Sequence, residues 1–230
     1  MTLLQIGFLI YPDVVQLDVM ATYQALTFPP NTQVHLIGKT LTPVVSNEGL
    51  AIAPTVTIEN CPLLDVICVP GGGMGQVEVM KDMEILSFLK QQGTTAQYVT
   101  SVCTGSMILA AAGLLQGYKA TCHWAFRDQL AMLGVEVIAN RVVIDRNRVT
   151  GAGVTSGIDL GLTLVGLLCG EEVAKMTQLM MEYDPEPPFK SGTPEKAGEN
   201  LVQTLMQFGK PLKDAFLAQT KVTATQLKLN

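Results

Sequence analysis

The chain has 230 residues, of which 20 are acidic and 15 basic, for a net charge of −5. Apolar residues make up 48% and charged residues only 15%, enough for one sizeable core, which excludes a disordered or solvating chain. The acidic balance, without any basic run, argues against nucleic acid as a partner, and the longest apolar stretch, 160–170, is too short to span a bilayer.

Leu4 to Ile10 reads as a strand, followed by the turn Tyr11-Pro12-Asp13 and an amphipathic helix from Val14 to Thr27. Gln33 to Ile37 is a second predicted strand. Asp65 to Val69 is a third, stopped by Pro70-Gly71-Gly72-Gly73. A helix is expected from Asp82 to Gln92, ending at Gly93. Gln97 to Val102 is a fourth strand and Thr104 to Leu115 a helix. The near-continuous apolar character of the third and fourth strands predicts burial on both faces, hence a parallel sheet with covering helices. After a helix over Trp124 to Leu133, short strands are expected at Val135 to Ile138 and Arg141 to Asp145, the latter turning through Asp145-Arg146-Asn147 into a hairpin. Gly157 to Cys169 and Glu171 to Glu182 are helical, with Met176, Met180 and Met181 expected in the core. The Pro-rich run from Asp184 to Pro194 predicts an extended surface arm, and helices over Glu195 to Phe208 and Leu212 to Leu227 close the chain. The expected architecture is one doubly wound α/β domain over 1–183, with 184–230 as an arm and helical extension of the same domain.

The five cysteines, Cys61, Cys68, Cys103, Cys122 and Cys169, are odd in number and lack a C-x-x-C pair, so reduced thiols are expected. The segment Met1-Thr2-Leu3-Leu4-Gln5 has no positive region and no cleavage site, which predicts a mature cytoplasmic protein. With only His35 and His123, a multi-histidine metal centre is not expected. His123 reads as a capping or core residue and His35 as structural.

The strongest chemical signal is Tyr98-Val99-Thr100-Ser101-Val102-Cys103-Thr104-Gly105-Ser106, a buried strand running into a nucleophile-type residue at a helix start. A helix N-terminus favours thiolate, so Cys103 is expected to have a lowered pKa and to be the most reactive thiol; the plain alternative is a small core cysteine, which suits Cys68 and Cys169. The glycines after Val69 bring backbone N–H groups close to a ligand, and Gly72 and Gly73, with the N–H of Thr104, are candidates for an oxyanion nest beside Cys103. A plain Gly-rich turn is the alternative. Neither a P-loop nor a G-x-G-x-x-G pattern follows a strand, which disfavours nucleotide binding. Asp18, between Leu17 and Val19, is a candidate acid, although a helix cap is what its position alone suggests.

Four strings taken together resemble the ThiJ/PfpI superfamily: Asp65-Val66-Ile67-Cys68-Val69-Pro70-Gly71-Gly72, Thr100 to Ser106, Ala111-Ala112-Gly113-Leu114-Leu115-Gln116-Gly117, and Ala120-Thr121-Cys122-His123-Trp124-Ala125. With Gln5 to Leu9, Gln16-Leu17-Asp18, Thr150-Gly151 and Glu182 to Phe189, the resemblance is to its isonitrile hydratase branch and covers most of residues 4–194. It implies a flavodoxin-like fold, a homodimer, Cys103 as nucleophile and Asp18 as acid. It further implies hydration of a small isonitrile to a formamide through a thioimidate, with no metal or organic cofactor. Two departures stand out: Ala21-Thr22 replaces the Gly-Pro that usually follows the acid, and Thr104 replaces the histidine of peptidase-like members. The alternatives are a thiol-based stress protein of glyoxalase, deglycase or chaperone type, which usually carries glutamate in place of Asp18, and a ligand-sensing domain. Regulators built on this domain carry a DNA-binding domain that the tail after Pro194 is too short to supply.

Overall fold

The computed structural model describes residues 3–229. Its strands, in chain order, are β1 (Leu4–Leu9), β2 (Thr32–Gly38), β3 (Val44–Val45), β4 (Ala51–Ile52), β5 (Val56–Thr57) and β6 (Val66–Val69). They continue with β7 (Tyr98–Val102), β8 (Lys119–Ala120), β9 (Glu136–Val137), β10 (Val142–Asp145) and β11 (Arg148–Gly151). The helices are α1 (Gln16–Leu26), α2 (Met74–Val79), α3 (Met83–Thr95), α4 (Gly105–Ala111) and α5 (Arg127–Ala131). After them come α6 (Ser156–Cys169), α7 (Glu171–Met180), α8 (Pro194–Ala197), α9 (Glu199–Phe208) and α10 (Lys210–Gln226).

The main sheet has the order β10-β11-β7-β6-β1-β2-β5. All its neighbours are parallel except β10 and β11, the hairpin predicted around Arg146. Every residue of β6 is buried, as is β7 from Val99 to Val102, so helices cover both faces as the apolar runs predicted. Because the chain builds outward from β1 in both directions, the strand order reverses between β1 and β6. In open α/β sheets such a reversal opens a crevice at the carboxyl ends of the strands. Residues 10–18, 70–73 and 103–104 follow the carboxyl ends of β1, β6 and β7 and meet there.

Small residues bring α1 and α6 close together: Thr22 Oγ1 donates to the Gly157 carbonyl at 2.9 Å. Ala21 and Thr22 therefore lie on this helix–helix seam, where the absent Gly-Pro would have to fit.

Several expectations need correction. Gly93 does not stop its helix, which runs on to Thr95. Its role is close packing, since a Cβ there would lie 2.7 Å from Leu114 Cδ2. The helix predicted to reach Leu115 ends at Ala111, because Gly113 turns the chain with φ of 77°. Trp124 to Leu133 divides into a 3₁₀ turn at Trp124–Phe126 and the short α5. The ribbon β3–β4 and the edge strand β5 have no clear periodicity in the sequence and are seen only in the structure. Met176 and Met180 are not core: they stand 55% and 71% exposed, with Leu179 between them at 82%.

Residues 183–193 form no helix or strand and their side chains are mostly exposed, in keeping with an arm. The helix predicted over Glu195 to Phe208 is broken at Gly198. α10 returns to the body and packs against α2 and α5. Phe216 is fully buried there, its ring 5.0 Å from that of Phe126. Among the described residues, no helix is long and apolar enough to cross a membrane.

Candidate active site

Cys103 sits between β7 and α4 with φ of 59°, in the left-handed region that non-glycine residues rarely occupy. Such strain persists only where surrounding structure fixes it. Here the Cys103 N–H donates to the Ala152 carbonyl at 2.7 Å, and its carbonyl accepts from the His123 N–H at 3.3 Å. Two distant segments thus hold the elbow in place, and the Thr104 N–H is directed at the Cys103 sulfur.

Asp18 is the third residue of α1 and does not cap its own helix. Its Oδ2 accepts from the Gly71 N–H at 3.0 Å, whereas its Oδ1 is buried with no partner in the protein. Only glycine allows this approach, because a Cβ on residue 71 would lie 2.8 Å from Thr104 N and 2.9 Å from Asp18 Oδ2. The structure thus brings together Cys103, Asp18, Thr104 and the glycine loop.

The loop does not offer the free amides expected of an oxyanion nest. The Gly72 N–H donates to Gln76 Oε1 at 2.8 Å, and the Gly73 N–H donates to the Asp13 carbonyl at 2.9 Å. With Gly71 on Asp18 and Thr104 on the sulfur, each of these N–H groups already has an acceptor.

Two buried residues at the site escaped sequence reasoning. Tyr11 Oη donates to the Pro70 carbonyl at 2.9 Å, holding the same peptide whose N–H donates to Asp18. Gln76, fully buried, accepts from Thr104 Oγ1 at 2.6 Å and donates to the Thr104 carbonyl at 2.8 Å. Next to Val77-Glu78-Val79 its position reads as an ordinary polar helix site, so no sequence signal marked it.

Cys103 is 5% exposed and Asp18 1%, and burial dominates both. Burial lifts the Asp18 carboxyl to about 7, opposed by the Gly71 N–H and the Cys103 thiol. Burial, and then the charge on Asp18, raise Cys103 well above an ordinary thiol despite the Thr104 N–H. The expected lowering is overturned: α4 has only seven residues, and its partial charge does not offset desolvation. Burial also holds Cys61 at about 11 and Cys68 and Cys122 at about 12. Near neutrality the Cys103–Asp18 pair therefore carries at most one negative charge and keeps at least one proton between a carboxyl and a thiol.

His123 Nδ1 accepts from the Ala125 N–H at 3.3 Å, capping the 3₁₀ turn as expected. Burial and the nearby Arg127 charge lower its pKa, favouring the neutral ring. His35 pairs with Gln5 at 2.7 Å inside the sheet. A cavity of about 320 Å³ is lined by the elbow's partners His123, Ala152 and Gly153 and by Gly192 to Glu195, where the arm enters α8. Among the described residues, no group of three or more His, Cys, Asp or Glu side chains is placed to hold a metal ion.

The DJ-1/PfpI family model matches residues 5–167. The chain belongs to the DJ-1/PfpI family. It is 48% identical to the isonitrile hydratase of Pseudomonas putida over 98% of this chain and 99% of that protein. A crystal structure of a ThiJ/PfpI family protein from Pseudomonas syringae superposes with a TM-score of 0.91 at 42% identity, covering 94% of this chain and 90% of that one. The HTH-type transcriptional regulator GbdR of Pseudomonas aeruginosa is 36% identical over 61% of this chain but only 38% of its own length. As a DJ-1/PfpI member with full-length similarity to an isonitrile hydratase, the chain fits the resemblance read from its motifs.

Proposed function

We propose that this protein hydrates isonitriles to N-substituted formamides, with Cys103 as nucleophile and Asp18 as the group that moves the proton. The observation carrying this reading is the buried thiol–carboxyl pair, one carboxyl oxygen of which has no partner, in a chain 48% identical to an isonitrile hydratase. An isonitrile carbon accepts a nucleophile and then needs a proton. In the singly charged pair, Asp18 takes the thiol proton as sulfur bonds to that carbon, then delivers it through Oδ1 to the same carbon. The product is a thioimidate, R–N=CH–S–Cys103. Water adds to its carbon, the C–S bond breaks, the thiol regains a proton and R–NH–CHO leaves, so one isonitrile and one water give one formamide.

The first step places charge on carbon, where a proton quenches it. It does not build an alkoxide, so it has no need of free amides from Gly72 and Gly73. Those residues shape the loop, while the Thr104 N–H stabilises sulfur when it is charged. The R group occupies the cavity beside His123. The protein acts as a homodimer in the cytoplasm. The exposed stripes Met176, Leu179, Met180 and Leu201, Leu205, Phe208 support the dimer, and five free thiols support the compartment.

Purified protein incubated with several aryl and alkyl isonitriles is expected to release the corresponding formamides, one water heavier, while Cys103→Ala releases none. The similarity to a transcriptional regulator favours a second reading, ligand sensing without turnover. Saturable binding with no Cys103-dependent formamide would select it.

A further inference from the structure

We infer that Gln76 is the positioning residue of this site: its buried carboxamide locks the loop after β6 to the elbow after β7, keeping one donor on the sulfur and another on the carboxyl. The inference rests on the reading of Cys103 and Asp18 as the reacting pair, and it concerns what holds that pair in working order.

A carboxamide offers two donors and an acceptor oxygen with two lone pairs. Gln76 uses three of these four capacities across the crevice. Oε1 accepts from Thr104 Oγ1 at 2.6 Å and from the Gly72 N–H at 2.8 Å, and Nε2 donates to the Thr104 carbonyl at 2.8 Å. Thr104 is thereby held at both its side chain and its carbonyl, which fixes where its N–H points, and that N–H serves Cys103. On the other side Gly72 is held next to Gly71, whose N–H serves Asp18 at 3.0 Å. Without Gln76, the Gly72 N–H and Thr104 Oγ1 meet only across 3.4 Å. Nothing in these bonds reaches sulfur or carboxylate directly, so Gln76 acts through its neighbours.

The six-residue α2 that carries Gln76 is too short to be stable alone and packs against α10. The C-terminal extension is thereby placed behind the clamp. A fully buried glutamine is costly unless bonded, and here its bonds go to the two loops that meet at the reacting pair.

The test reads Cys103 alkylation by iodoacetamide against pH, followed by peptide mass spectrometry, and needs no isonitrile turnover. In the wild type the rate rises as the Cys103 thiol ionises, with a midpoint above that of an ordinary thiol because burial and the Asp18 charge raise it. Gln76→Leu keeps the volume and removes the clamp. Its midpoint is expected to move up by about one pH unit, slowing alkylation roughly tenfold at any pH below the midpoint, because the thiolate loses a well-placed donor. Gln76→Glu keeps the acceptor but loses the donor and adds charge, so it should shift at least as far, and it serves where the leucine variant fails to fold. A wild-type profile in either folded variant overturns the inference. A wild-type midpoint at or below that of an ordinary thiol strikes instead at the reading of the pair, and the shift relative to wild type still judges Gln76.

Discussion

Replacing Asp18 by asparagine separates the electrostatics of the pair from its chemistry. In the folded protein the carboxyl holds its proton up to about pH 7, whereas in the unfolded chain it titrates near 3.8. Between these values the folded state binds a proton that the unfolded state has released, so stability falls as pH rises. The full difference amounts to roughly 4 kcal/mol, present below pH 4 and lost above 7. Asparagine carries no such proton. Its stability relative to wild type should therefore improve by about 2 kcal/mol between pH 5.5 and pH 8, whatever constant offset the new amide brings. Urea unfolding of both proteins under reducing conditions at several pH values measures this, because other titrating groups cancel in the difference. Keeping to pH 8 or below leaves the thiol protonated in both states. A stability difference that does not vary with pH would refute the argument that burial holds the Asp18 proton.

Tyr11→Phe removes the donor to the Pro70 carbonyl and weakens the Gly71 N–H toward Asp18; the rising limb of the pH–rate profile should move up by about half a unit. Gly71→Ala forces a methyl against Thr104 and Asp18, so a urea titration should show a loss of about 1–3 kcal/mol, with formamide production falling alongside. Cys103→Gly should melt higher than Cys103→Ala, by the equivalent of about 1 kcal/mol, since glycine tolerates φ of 59° without strain. Light scattering at micromolar concentration should give twice the chain mass, and Leu179→Glu should shift it toward the single chain if the α7 stripe forms the interface.

The parts of the fold that were legible are those in which one residue type has one physical meaning. The apolar run at β6 and the near-continuous one at β7 indicate a two-sided sheet, and a Cys-Thr-Gly after the second of them indicates an elbow. The two-residue strands β3, β4 and β5 are too short for periodicity, and their pairing is set by neighbours distant in sequence. The methionines of α7 misled because methionine is ambivalent, and only tertiary structure decides which face is covered. At the site, residue type indicated a nucleophile but not its electrostatics: desolvation depends on everything packed around Cys103 and outweighs the local helix terminus. The engagement of Gly72 and Gly73 was hidden for the same reason, since their acceptors come from Gln76 and Asp13.

The most direct measurement of the account is rapid-quench intact-protein mass spectrometry during turnover of an aryl isonitrile. The predicted result is a transient increment equal to one isonitrile, located on the peptide containing Cys103, that decays as formamide appears and is absent in Cys103→Ala. Formamide forming at the wild-type rate in Cys103→Ala would contradict it.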